Sequence, residues 1–152
     1  MASIRFNTAT DLAPLPFDEQ VCRRASELKR LGLKWRPHVG CFVWDPDGIV
    51  TAPSPFPENI YFVLSLPRFV EIFGSTENMV QNLVWLPTWH QARMICRQLG
   101  VDDDSLAGQW GFEGLGSPGQ DLLRLYGCIG EALQKQSYGG PFATDTGSPS
   151  RA

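Results

Sequence analysis

Two pairs of residues carry the ligand types that zinc prefers: His38-x-x-Cys41, and His90 with Cys96. In a regular strand, residues three apart point to opposite faces, so His38 and Cys41 converge on one ion only if Gly40 makes a bulge. On a helix starting at Trp89, steps of about 100° place His90 and Cys96 roughly 120° apart. Neither pair closes on one ion, so no metal site is assigned and no cofactor is expected. Cys41 could act as a nucleophile with His90 and an Asp, but nothing in the sequence brings those groups together.

Two further patterns have the form of ligand loops. Gly114-x-Gly116-x-x-Gly119 has dinucleotide spacing, yet Pro118 interrupts it and neither a buried strand before it nor an acidic strand end after it is in place. What survives is a helix start whose free amides could hold an anion. Asp45-Pro46-Asp47-Gly48 lacks the third acidic position and the downstream Glu of a calcium loop, and reads as a turn. The run Asp102-Asp103-Asp104 reads as a solvated face or as the cap of the next turn.

The remaining chemistry is recognition. His90, Arg93 and Arg97 form one stripe of the helix over 88–99, with Met94 beside them, opposite a core stripe of Trp89, Ala92, Cys96 and Leu99. Along the strand before Asp45, Lys34, Arg36, His38, Phe42 and Trp44 share one face. Cations beside aromatic surface suit an acidic protein partner or a small anion held by Arg forks. Phe56, in the Pro-rich loop 53–57, adds an apolar anchor.

Composition sets the bounds. The chain has 152 residues, suited to one domain with a self-sufficient core. Its net charge of -3 argues against a nucleic-acid footprint, which needs clustered Lys and Arg. No window approaches the run of about 18 apolar residues of a membrane helix, and the first residues lack a secretory layout, so a soluble, cytoplasmic protein is expected. The four cysteines contain no Cys-x-x-Cys and read as reduced, buried thiols. Charged residues are only 19% while there are five Trp, a balance that favours a surface made to be covered.

These features sit on an α+β pattern. Residues 1–16, with Pro14 and Pro16, read as an extended arm, 17–136 as a single domain, and 137–152 as a disordered tail. Helical periodicity runs from Asp18 to Leu31, stopped by Gly32, and again over 67–73, 76–84, 89–99 and 120–135, about five helices in all. A small antiparallel sheet is expected from a hairpin over 33–51 and a central strand over 59–65, and 101–118 reads as a long loop. The function that fits is an accessory or protein-interaction module without its own catalysis, bound to a protein partner or to a second copy. The alternatives are a small enzyme acting on an anionic substrate, with His38 or His90 as acid or base, and a metal-binding domain.

Overall fold

Helix boundaries follow the end chemistry of the sequence. Asp18 accepts the Val21 amide (2.9 Å) and opens α1, Glu19–Arg30. Gly32, at φ +102°, lets the Leu33 amide reach back to the Leu28 carbonyl and the Gly32 amide to that of Lys29. This paired bonding satisfies carbonyls that the end of the helix would otherwise strand. The same device, built on Gly100 with Val101 bonded to Cys96, closes the helix Trp89–Gln98, which opens on a reciprocal Thr88–Gln91 capping box.

The computed structural model describes residues 6–138. Within them the order is α1, β1 (Phe42–Trp44), a short 3₁₀ turn (Pro57–Asn59), β2 (Ile60–Phe62), α2 (Leu66–Phe73), α3 (Thr76–Asn82), β3 (Val84–Trp85), α4 (Trp89–Gln98), α5 (Asp103–Glu113) and α6 (Pro118–Tyr138). This is a small α+β fold with one antiparallel sheet of order β2-β1-β3. No helix among the described residues is long and apolar enough to cross a membrane.

Three details of the sheet and helices differ from the sequence expectation. The hairpin over 33–51 does not form: β1 pairs with β2, Val43 opposite Tyr61, and on its other side with β3. The would-be return strand bonds elsewhere, because the Ile49 and Val50 amides go to the buried carboxylate of Asp45 at 3.2 and 2.8 Å. A side chain thus takes the donors a ladder would need. The strand within 59–65 is an edge and not the centre, leaving Phe62 and Leu64 38% and 73% exposed. Finally, the segment read as a loop over 101–118 contains α5. Asp102 caps it by accepting the Ser105 amide at 2.8 Å, which holds its carboxyl below the usual range.

Side-chain alternation places the sheet between two apolar clusters. Phe42 and Ile60 join the larger one, where α6 packs on both α1 and α4 through Leu122, Leu125, Tyr126 and Ile129. Val43, Tyr61 and Val63 turn to the smaller one, with Phe73, Met79 and Leu83 from the region of α2 and α3. Gly130 of α6 faces α1, where an added Cβ would make ordinary contact with Leu28 Cδ2 at 3.4 Å and Leu31 Cδ1 at 3.6 Å. Lys29 joins α1 to the end of α3, donating to the carbonyls of Gln81 (2.6 Å) and Leu83 (3.0 Å). The Tyr126 hydroxyl, deep in the larger cluster, donates to the Pro87 carbonyl just before α4.

Before α1 the described part of the arm, 6–16, has neither helix nor strand, but it is anchored: Leu15 is buried in the larger cluster. Pro16 covers Gly119, where a Cβ would sit only 3.3 Å from the proline ring. Of the tail expected over 137–152, residues 137 and 138 end α6 and the rest lies outside the described residues.

Candidate functional site

The residues singled out in the sequence fall into three separate places. Phe42 and Phe56 belong to an aromatic cluster with Phe17: Phe17 stacks on Phe56 at 4.7 Å between ring centroids, and Phe42 lies 6.0 Å from Phe56. Phe42 is buried, and Trp44 and Phe56 are half-buried against the larger core. The face that Phe42 and Trp44 share is therefore turned inward. Arg36 and His38 lie outside any strand and are exposed, and His38 Nδ1 stands 2.8 Å from the Val39 carbonyl. Gly40 adopts φ +101°, and beyond it Cys41 is fully buried, its Sγ accepting the Trp35 indole N–H at 3.4 Å.

Among the described residues no three His, Cys, Asp or Glu side chains gather closely enough to hold a metal ion. The glycine loop before α6 has closed on itself. Gly116 N–H donates to Asp121 Oδ1 at 3.0 Å, while Ser117 and Gln120 exchange side-chain and amide bonds at 3.3 Å. Arg124 donates to the Gly114 carbonyl at 2.9 Å. The amides that could have met an anion are capped by the chain's own side chains.

The third place is the outer side of α4. His90 and Arg97 are exposed, and Met94 and Trp89 are 42% and 41% exposed. Arg93 pairs with Asp103 at the start of α5, 2.7 Å apart. Trp89 was expected on the core stripe and is not there. It is the first residue of α4, and a helical side chain covers the surface N-terminal to its own Cα, which here lies beyond the first turn.

Trp89 is one wall of a groove. A hollow of about 580 Å³ lies between Pro14, Pro16, Trp89, Leu115, Pro118 and Leu122. Trp89 and Leu115 also line a smaller pocket of about 200 Å³, with Arg93, Asp103, Leu106 and Leu125. Leu115 stands 81% exposed at the junction. The N-terminal ends of α4 and α6 both border the groove, and the Asp121 carboxylate in the first turn of α6 lines it as well. Sequence reasoning finds the cations of α4 and misses the groove, because its walls come from the arm, α4 and the loop before α6. The available signal was Leu115, a large apolar residue in a loop of glycine and serine.

No family model, curated protein or solved structure matches this chain. Its geometry alone carries the functional argument.

Proposed function

We propose that the chain is a protein-interaction module without catalysis of its own, which docks an acidic segment of a protein partner, anchored by one or two apolar side chains. One observation carries the reading: an apolar groove with an exposed leucine and tryptophan at its junction runs beside a helix, Trp89–Gln98, that holds three basic residues and no acidic one. Apolar anchors give such a contact its affinity, while His90 and Arg97 on the rim select acidic neighbours and speed encounter. Arg36, His38, Phe42, Trp44 and Phe56 have no part in this contact. The described cysteines are buried and form no disulfide with one another, which suits a reducing compartment, and a cytoplasmic address belongs to the same reading.

A displayed peptide library selected on the full chain tests it. The expected winners carry Leu, Phe or Trp flanked by Asp and Glu, and lose binding to Leu115→Asp. Winners without acidic residues, or winners indifferent to Leu115→Asp, would overturn the reading. Sedimentation of the chain alone checks the other occupant: a dimer dissolved by Leu115→Asp would assign the groove to a second copy instead.

A further inference from the structure

A separate cavity of about 510 Å³ opens between α1, the segment that follows it, α3 and β3. Ala25, Gly32, Leu33, Val80 and Leu83 line it, together with two indoles, Trp35 and Trp85, and two ammonium groups, Lys29 and Lys34. Among the described residues no carboxylate lines it. That size and lining, an apolar container with a few polar groups of one sign, are those of small-molecule sites.

The polar groups differ in how far they are committed. Lys29 spends two of its three donors on the carbonyls of Gln81 and Leu83, which leaves one. Burial pulls its pKa down, and the charge of nearby Asp47 works in the opposite direction. Lys34 is exposed and makes no hydrogen bond or ion pair among the described residues. The Trp35 indole N–H is taken by Cys41 Sγ, whereas the Trp85 indole N–H is buried with no acceptor at all. That N–H has no exposed surface, so what Trp85 offers the cavity is the face of its ring and not a donor.

The geometry points to this cavity as a binding site for a small aromatic carboxylate. Its ring would lie against the two indoles, and its carboxylate would meet Lys34 at the mouth and the spare donor of Lys29. An uncharged aromatic would gain only the apolar contact. A cationic one would be repelled by two ammonium groups.

Naphthoate, with neutral naphthamide as its control, tests the assignment by calorimetry and by tryptophan fluorescence on the full chain. Saturable naphthoate binding is expected, about tenfold tighter than naphthamide. Lys34→Met is exposed and leaves the fold intact; it should weaken naphthoate by about tenfold and leave naphthamide unchanged. Trp85→Phe, which trims one of the two indoles and keeps a smaller ring, should weaken naphthoate and naphthamide alike, severalfold. If Trp85→Phe fails to fold, Lys34→Met decides alone. Absence of saturable binding, equal binding of the two compounds, or a Lys34→Met protein that binds naphthoate as the wild type does would each overturn the proposal. Neither result bears on the groove of α4, which shares no residue with this cavity.

Discussion

Phe42 and Trp89 begin from similar surroundings in the sequence. Each is a large ring at the start of a regular element, and each has cationic residues nearby on the chain. Phe42 sits in the middle strand, where both neighbours are paired and both faces are covered, so its ring is enclosed by Phe17, Phe56 and the larger core. Its cationic neighbours Lys34 and Arg36 lie on the unpaired segment before it, exposed and away from the strand face. Trp89 stands at the first turn of α4, where the fold has one covered side only, and its ring remains at the surface with His90 and Arg97. Composition alone does not separate the two cases. The element's place in the fold does, since the middle strand of the sheet is covered on both faces and the start of α4 on one side only.

Substitutions can break this comparison in order of effect. Phe42→Ala should cost about 3–5 kcal/mol in denaturant unfolding, because its cavity opens inside a packed aromatic cluster. A small loss there would mean that the cluster is a surface feature after all.

Raising the pH tests the interior in a second way. Burial pushes the Cys22 thiol up from 9.0 to about 12 and that of Cys96 to about 11. A folded pKa above the unfolded one gives stability that is full below pH 9 and lost as the pH rises toward the folded value. Through that window Cys22 alone should remove about 1.4 kcal/mol per pH unit, read from urea midpoints at stepped pH. Cys22→Ala should make the slope shallower and leave the part due to Cys96.

At the outer site the same kind of change should spare the fold. Leu115→Asp is expected to shift unfolding free energy by no more than about 0.5 kcal/mol. The same change should cost at least about 2 kcal/mol in binding of a selected acidic peptide, measured by fluorescence anisotropy. Arg97→Glu should weaken that peptide by about 1 kcal/mol and reduce its salt dependence, with unfolding unchanged. Smallest of all, Asp103→Asn should alter stability by less than about 1 kcal/mol, since the Arg93–Asp103 pair lies in solvent.

Much of the helical frame was legible, because its signals are local. Asp18, Ser75 and Thr88 cap helices as their types suggest, and Gly32, Gly74 and Gly100 end them at positive φ. The sheet was less so. The apolar run around Ile60 to Leu64 was read as covered, yet covering depends on which strands flank it, and β3 is a two-residue pairing that no periodicity can announce. The missed helix α5 has glycine at 108 and 111 and no apolar stripe, so its only sign was the Asp102 cap. At the candidate site, the cationic stripe of α4 could be counted off a helical wheel. Leu115 and Pro14, about a hundred residues apart, become neighbours only through the packing of the arm on α6.

The hydroxyl of Tyr126 ties the middle of α6 to the backbone at Pro87, immediately ahead of the α4 cap. Breaking that bond leaves a phenol and a carbonyl unpaired in the interior, so the start of α4 cannot fray independently of α6. Amide hydrogen exchange around Thr88 should accordingly keep pace with the slowest protons of α6, and Tyr126→Phe should uncouple the two.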